Sequence, residues 1–237
     1  LYDLWSEAGL RTMMDHLARH YSQQYGFSAF WLDCDEPCGG SSWTNETIKS
    51  LLYRNGTWPA QLVGAAYPSQ LSKVTVEGLR ARGVVTPVVL ARSSWAGGHT
   101  SAAIIWNGDR ASSFQEMQKC FRSGLHAGVS GLYYWTTDIG AYAGHPNDPS
   151  GNPDDPTCCP GVKPGDSSKE LEQCCDNNVT TPHFREMIVR WYQMGAFHPI
   201  FRSHGHRQSG PGSFADGNGA SSTNEYYNFG ADAAGAI

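Results

Sequence analysis

The feature that most constrains the fold is a repeated alternation of short apolar runs with amphipathic segments. Runs such as FSAFWL at 27–32 and LYYW at 132–135 have the length and aromatic content of buried strands. Between such runs, apolar residues recur at helical spacing, as they do over 112–128. This alternation predicts an α/β fold with a parallel sheet, the arrangement found in a (β/α) barrel.

Polar residues follow each predicted strand directly. The predicted strands are 27–32, 84–91, 101–106, 132–135 and 198–201, and the predicted helices are 2–25, 74–83, 112–128 and 183–194. In a barrel, the residues just past the carboxyl ends of the strands face one common mouth. We therefore expect Asp33, Arg92, Asp109, Asp138 and His204 to converge there.

Composition excludes several classes of function. The 237 residues are enough for one domain with its own core, and 40% of them are hydrophobic, which excludes intrinsic disorder. Charged residues make up 16%, the net charge is −5 and no basic stripe is present, so we expect no nucleic-acid partner. No apolar run approaches the ~18 residues that cross a bilayer, so we expect no membrane segment.

Cysteine usage indicates an oxidising compartment. The adjacent pairs Cys158-Cys159 and Cys174-Cys175 lie in a polar segment, 144–181, that breaks the strand–helix rhythm and is interpreted as a Cys-rich insertion loop. Four cysteines allow three disulfide pairings, and the sequence does not choose among them. Zinc is the competing interpretation, but the usual CxxC spacing is missing, so we expect no metal.

Sequons agree with passage through the secretory pathway, to an extracellular or lysosome-like destination. They mark three candidate N-glycan sites, Asn45, Asn55 and Asn178. Such triplets also arise by chance. The chain begins at Leu1 without Met and shows no signal peptide, so we expect it to be a fragment of a longer protein.

Two carboxylates stand where glycoside hydrolysis would need them. Asp33 and Asp109 each sit at a strand exit, with Trp31 and Trp106 just upstream. One carboxylate can attack the sugar while a second protonates the leaving oxygen, and tryptophans can stack on the ring. By spacing alone, a plain structural role is the better explanation: a cap for Asp33, and a turn residue or helix cap for Asp109.

Five ordered strings change that balance. FWLDCDEP (30–37), ARSSWAG (91–97), WNGD (106–109), GVSG with WTTDIGAY (128–131 and 135–142) and RWYQMGAFHPIFRSH (190–204) occur in this order. Together they closely resemble the signature blocks of glycoside hydrolase family 31, whose α-glucosidases and α-xylosidases act by a retaining mechanism on a (β/α)8 barrel. The resemblance implies that residues 1–237 form part of one catalytic TIM-barrel domain, approximately strands four to eight.

The resemblance also implies roles for single residues, and it implies that the reaction needs no cofactor. Asp33 would be the nucleophile and Asp109 the general acid and base. Those implied to bind the sugar are Trp31, Arg92, Trp106, Asp138, Tyr142 and His204, with Asp138 orienting its neighbours. Taken singly, each of these has a plain structural explanation in a core or on a surface. Asp35 and Glu36 are interpreted as loop ligands or caps.

Departures from the family pattern are few. Cys34-Asp35 stands where the block usually has Met-Asn, and Gly140-Ala141 replaces Gly-Gly, which requires alanine to accept the backbone angle. The first three barrel strands are not evident. We therefore expect this piece alone to be inactive, because an open half-barrel exposes sheet edges.

The expected function is hydrolysis of terminal α-linked glucose or xylose from an oligosaccharide or α-glycoside, through a covalent glycosyl-enzyme. An α-transglycosylase or an α-glucan lyase would share the same residues. A non-catalytic carbohydrate-binding relative is the alternative from another class, although retention of both Asp33 and Asp109 argues against it. A module that binds protein through 144–181 has only that loop in its favour.

Overall fold

The computed structural model describes residues 2–36, 50–142, 182–205 and 226–237. These divide into two compact units. The first comprises residues 1–106 with 131–134, and the second comprises residues 107–130 with 135–237. The predicted insertion loop at 144–181, with its four cysteines, lies outside the described residues.

The first unit begins with helix α1 and ends with strand β5. Its elements are α1 (Glu7–Leu17), a π-helical turn (Ala18–Gln23), β1 (Ala29–Leu32), β2 (Leu52–Tyr53), β3 (Trp58–Pro59), α2 (Ala60–Val63), a 3-10 turn (Gly64–Ala66), α3 (Tyr67–Arg80), β4 (Val88–Ala91), a second 3-10 turn (Gly98–Ser101) and β5 (Ile104–Trp106). Helix α1 starts at Ser6, whose Oγ accepts a hydrogen bond from the backbone amide of Gly9. The predicted α/β alternation is therefore present.

The first unit contains a parallel sheet formed by β1, β4 and β5. β4 pairs with β1 in parallel, with Leu32 opposite Ala91, and β5 pairs with β4 in parallel, with Ala91 opposite Ile105. The backbone amide of Ile105 also donates to the carbonyl of Tyr134. Of the predicted strand 132–135, only Trp135 lies in an observed strand, which is Trp135–Thr136. The carboxyl ends of these strands therefore lie at one edge of the sheet.

A hydrophobic cluster joins the helices of the first unit to its small hairpin. Leu4, Met14 and Leu79 are buried in it, and Tyr53 of β2 packs edge to face against Trp5 with ring centroids 5.6 Å apart. The antiparallel β2–β3 pair was not predicted from the sequence. Two-residue strands leave too little alternation for a period of two to be detected.

The second unit is mainly helical. Its elements are α4 (Phe114–Val129), β6 (Trp135–Thr136), α5 (Pro182–Gly195), a 3-10 turn (Tyr226–Phe229) and α6 (Ala231–Ala236). Helix α4 is capped by Ser113, whose Oγ accepts from the amide of Glu116. The unit buries Phe184 and Trp191 of α5 together with Ile139 and Phe229. Among the described helices, none is long and apolar enough to cross a membrane.

The predicted strand at 198–201 is wrong, because HPIF forms bends instead of a strand. The segment still makes backbone contacts, since the amide of Ile200 donates to the carbonyl of Trp135 at 3.3 Å. Ile139 and Ser203 then form an isolated parallel bridge, and the amide of Ile139 donates to the carbonyl of Arg202 at 3.2 Å. Pro199 supplies no amide hydrogen, so it cannot donate to a ladder here. The segment after α5 still lies beside the segment after β6.

Two glycines of helix α4 offer a test of its packing. A Cβ added at Gly124 would lie 2.7 Å from Nε1 and 3.0 Å from Cδ1 of Trp135, whereas a Cβ at Gly128 meets nothing within 4 Å. We expect Gly124→Ala to lower the free energy of unfolding by about 1–3 kcal/mol through overpacking. Gly128→Ala should raise it by up to about 1 kcal/mol through helix propensity. Urea unfolding of both variants checks this, and equal shifts would contradict the packing of α4 on Trp135.

Candidate active site

Strand register places Asp33 and Arg92 side by side. Leu32 is opposite Ala91 in the parallel pair β1–β4, so the next residue of each strand emerges at the same edge. The ladder continues into this edge, since the backbone amide of Arg92 donates to the carbonyl of Leu32 at 3.3 Å. The sequence therefore predicted correctly that these two side chains follow neighbouring strands.

Arg92 holds the turn that follows β1 by three contacts. Its Nη1 lies 3.0 Å from Oδ1 of Asp33, its Nε donates to Oε1 of Glu36 at 2.6 Å, and its Nη2 donates to Sγ of Cys34 at 3.2 Å. The arginine side chain is only 12% exposed. A guanidinium has a fixed fork of donors, so these contacts set the position of the whole turn.

The Asp33 carboxylate is itself oriented by the turn. Its Oδ1 also accepts a hydrogen bond from the backbone amide of Cys34 at 2.7 Å, and Cys34 adopts a left-handed φ of 49°. Cys34 is disulfide-bonded, which the sequence did not indicate. The side chain of Asp33 remains 53% exposed, so one face of the carboxylate is open to solvent.

Two further carboxyl groups lie behind Asp33. Asp35 is 3% exposed, and its Oδ2 accepts from the backbone amide of Ser93 at 3.4 Å. Burial, and then the facing carboxylate of Glu36, raise the pKa of Asp35. Burial opposes ionisation of Glu36 as well, but hydrogen bonds from Arg92 and Asp35 hold the pKa of Glu36 below its usual value.

Trp31 and Trp106 pack against each other. Their ring centroids are 5.5 Å apart with planes at 84°, an edge-to-face arrangement. Trp31 is 45% exposed and offers a ring face to a ligand, whereas Trp106 is 1% exposed and supports Trp31 from below. Of the two predicted sugar-binding tryptophans, Trp31 is the one with an accessible surface.

A cavity of about 360 Å³ opens beside the Arg92 cluster within the first unit. Glu36, Ser93 and the half-exposed Trp95 line one part of it, and Ala60 and Pro68 line another. Ser93 Oγ donates to Oε2 of Glu36 at 3.0 Å, so both oxygens of that carboxylate are held. A cavity of this size accommodates a small ligand. Trp95 was not among the site residues predicted from the sequence, although it stands in the block at 91–97.

Asp109 lies in the second unit, on a loop fixed at several points. Gly108 has a φ of 71°, Arg110 Nε donates to the carbonyl of Asn107 at 3.0 Å, and Asn107 Nδ2 donates to Sγ of Cys120 at 2.8 Å. Asp109 is exposed. It does not cap the helix that follows, because Ser113 does so. The plain explanation of Asp109 as a helix cap is therefore wrong.

The remaining predicted residues meet in the second unit. Asp138 is 1% exposed and pairs with the guanidinium of Arg202. The rings of Tyr142 and His204 lie 5.7 Å apart. The backbone amide of Tyr142 donates to the carbonyl of Arg110 at 3.0 Å, which ties this group to the loop of Asp109. Ala141 accepts the angle its position requires, with a φ of 63°.

The structure thus forms two groups of predicted residues. The first group lies in the first unit and contains Asp33, Arg92, Trp31 and Trp106. The second group lies in the second unit and contains Asp109, Asp138, Tyr142 and His204. Convergence of both groups on one mouth stays a prediction. Arg202 was missed, although it stands in a quoted block. Within the described ranges, no three His, Cys, Asp or Glu side chains are grouped to hold a metal ion.

Comparison with known proteins identifies the family. The model of the glycosyl hydrolases family 31 TIM-barrel domain matches residues 1–229. An uncharacterised family 31 glucosidase of Pseudescherichia vulneris is 31% identical over 184 residues, which cover 78% of this chain and 28% of that protein. An α-xylosidase of Saccharolobus solfataricus is 30% identical over 187 residues, covering 76% of this chain and 20% of that protein. The chain thus spans about a quarter of the length of these relatives.

Solved structures agree with the fold. The crystal structure of a family 31 α-xylosidase from a soil metagenome, complexed with xylose, has a TM-score of 0.72 and 26% sequence identity. The match covers 98% of this chain and 30% of that one. The family resemblance seen in the five sequence blocks is therefore confirmed, as is the expectation of a partial TIM barrel.

The buried Asp138–Arg202 pair can be tested against an exposed pair in the same unit. Asp138→Asn removes the carboxylate from a guanidinium whose side chain is 17% exposed, whereas Asp232 is 69% exposed beside Arg185. We expect Asp138→Asn to lower the free energy of unfolding by about 3–5 kcal/mol. Asp232→Asn should change it by less than about 1 kcal/mol. Chemical denaturation of both variants measures the difference, and comparable losses would show that burial does not strengthen the Asp138 contact.

Proposed function

Because the chain belongs to the TIM-barrel domain of glycosyl hydrolase family 31, we propose that the protein containing it is a retaining α-glycoside hydrolase. Its substrate would be a terminal α-linked glucose or xylose on an oligosaccharide or another α-glycoside. The observation that carries the proposal is the half-exposed Asp33 carboxylate, held 3.0 Å from Arg92 at the carboxyl ends of parallel strands. This edge is where barrel enzymes place their catalytic side chains.

Asp33 is the proposed nucleophile. Its Oδ1 accepts a hydrogen bond from the backbone amide of Cys34 and forms an ion pair with Nη1 of Arg92, and these two contacts orient the carboxylate. Preorganised donors of this kind hold a reacting group without a reorganisation cost in the transition state. The carboxylate would attack the anomeric carbon while the bond to the leaving oxygen breaks, giving a covalent glycosyl ester.

Asp109 is the proposed general acid and base. In the first step its carboxyl proton passes to the leaving oxygen, and in the second its carboxylate removes a proton from water as that water displaces Asp33. The fixed loop 107–110 and the exposure of Asp109 support this role. Retention requires the two carboxyl groups to lie about 5–5.5 Å apart in the working enzyme.

The sugar-binding roles follow from the side chains present. The exposed face of Trp31 would stack on the sugar ring, supported by the buried Trp106. Tyr142 and His204, adjacent in the second unit, would contact its hydroxyl groups. Asp138 is buried against Arg202, which fits a positioning role better than direct contact.

Xylosides are the substrates to test first. The S. solfataricus relative and the soil metagenome structure both carry the name α-xylosidase, and the latter matches 98% of this chain with a TM-score of 0.72. The first relative, however, is named as a glucosidase. Matched nitrophenyl α-xylosides and α-glucosides, compared by kcat/KM, separate the two sugars. Product analysis separates hydrolysis from transglycosylation and from lyase chemistry.

Three further expectations are proposed with this function. Residues 1–237 would contribute the later strands of one catalytic barrel and would be inactive alone, because part of the sugar site comes from earlier strands. The protein would enter the secretory pathway, as its seven cysteines and three sequons indicate. Asn55 is exposed in a turn after β2, which supports glycosylation there.

The alternative is a carbohydrate-binding relative without catalysis. It would bind the same α-glycosides through the same residues and leave them intact. The ordered Asp33–Arg92 contact gives this alternative no specific support, since binding alone does not need an oriented nucleophile.

Azide chemistry assigns the two carboxylates in the complete protein. We expect Asp33→Ala and Asp109→Ala each to lower kcat at least about a thousandfold. With an activated aryl α-glycoside, azide should accelerate Asp109→Ala and give a glycosyl azide of retained configuration, because the Asp33 ester still forms. It should give no retained product with Asp33→Ala.

Asp15→Ala is the matched control, since Asp15 pairs with Arg82 away from the cluster and should leave kcat unchanged. A loss within about tenfold for Asp33→Ala, equivalent to about 1.4 kcal/mol, would show that the nucleophile is misassigned.

A further inference from the structure

We propose that Asp35 and Glu36 share a single proton, and that this singly protonated carboxyl pair positions Arg92 against Asp33. The inference deepens the proposed function, on which it rests. It assigns Asp35 as a positioning residue that acts through Glu36 and Arg92 and does not touch the substrate. The sequence had indicated only a loop ligand or cap at this place.

Asp35 is buried without enough hydrogen-bond donors around its carboxyl group. One oxygen, Oδ2, accepts from the backbone amide of Ser93 at the long distance of 3.4 Å. The other, Oδ1, is buried and finds no donor within the described part of the chain. A buried carboxylate needs its charge compensated or its lone pairs satisfied, whereas a neutral carboxylic acid needs a single acceptor for its proton.

Glu36 supplies that acceptor. Glu36 follows Asp35 directly on the same turn, and after burial a hydrogen bond with Glu36 is the next cause that raises the pKa of Asp35. Glu36 in turn takes a hydrogen bond from Arg92 Nε at 2.6 Å on Oε1 and one from Ser93 Oγ at 3.0 Å on Oε2. Glu36 is therefore the ionised member, because the guanidinium favours its charge.

The charges around the pair favour one proton on it, because a single guanidinium faces several carboxyl groups. The described groups that face Asp35 are Glu36 on the same turn and the backbone amide of Ser93. Arg92 and the hydroxyl of Ser93, which follow the neighbouring strand, contact Glu36. Arg92 is already shared with Asp33. A second buried charge on Asp35 would compete for the same guanidinium, draw it away from Asp33 and repel Glu36.

Deprotonation of Asp35 should therefore limit activity at high pH. Burial and the facing Glu36 raise the pKa of Asp35 to about 8. We expect kcat/KM of the complete protein to fall above that pH, even for an aryl α-glycoside whose leaving group needs no protonation. With such a substrate, ionisation of the general acid does not affect bond cleavage.

The variant Asp35→Asn distinguishes a role of the proton on Asp35 from a merely structural role of the side chain. Asparagine has nearly the same shape and donates to Glu36 at every pH, so the fall in kcat/KM should shift upward by at least about one pH unit. Asp35→Leu has no donor and should lower kcat/KM at least about tenfold at all pH values, since Glu36 then loses its partner. Asp15→Asn makes the same chemical change at an ion pair elsewhere in the unit and should leave the profile as it is.

Two measurements that do not depend on activity decide the case if the protein hydrolyses no substrate tested. An infrared difference spectrum at about pH 6 should show a protonated carboxylic acid in the wild type that Asp35→Asn lacks. The folded state should also bind more protons than the unfolded state at pH values between the usual pKa of aspartate and about 8. Stability of the wild type should therefore fall relative to Asp35→Asn as pH rises through that window.

An unshifted pH profile in Asp35→Asn, or an infrared spectrum without the carboxylic acid band, would overturn the proposal. If Asp35→Leu fails to fold, the asparagine variant alone decides it. If the wild-type protein hydrolyses no α-glycoside, the proposed function is refuted. The infrared spectrum then decides by itself whether Asp35 is protonated.

Discussion

The site residues of the first unit depend on the contacts that the Arg92 side chain makes with the turn after β1. One largely buried guanidinium reaches Asp33, Cys34 and Glu36, and so connects the end of β4 to the turn after β1. Removing it would leave the carboxylates of Asp33 and Glu36 without this counter-charge. Parallel register makes the connection geometrically available, because it brings the two strand ends to one edge.

The second unit also contains an ion pair between an arginine and an aspartate that connects two segments. Asp138 follows β6, Arg202 follows α5, and their buried pair lies next to the backbone bridge between Ile139 and Ser203. That bridge brings Tyr142 and His204 together. In both units a largely buried arginine side chain joins the ends of two segments, and the residues with proposed roles toward the sugar are those beside the junction.

Sequence patterns predicted the longer elements and the positions of the strand ends. The runs that became β1 and β4 were recognised because apolar residues stop abruptly at a polar one, and α5 matched its prediction almost residue for residue. The hairpin β2–β3 was too short to show a period, and HPIF was misassigned because an apolar run alone does not reveal that Pro199 lacks an amide hydrogen.

The candidate residues were found for a different reason. Periodicity placed Asp33 and Arg92 at strand ends, but only the ordered blocks distinguished them from ordinary caps and surface charges. Glu36 and Arg202 were not assigned to ion pairs because the partner of a charge is a property of three-dimensional packing, and nothing in a linear sequence records it. The protonation of Asp35 depends on burial and on a neighbour, so it too became visible only in the folded chain.

The most direct measurement is covalent trapping of the glycosyl-enzyme. A 5-fluoro α-xylosyl or α-glucosyl fluoride slows the second step of a retaining glycosidase more than the first, so the ester accumulates. Peptide mass spectrometry of the complete protein should then find one fluoroglycosyl group on the peptide that contains residues 30–36, with the ester on Asp33. A label on any other carboxylate, or rapid turnover that passes through no trapped ester and inverts the product, would contradict the account.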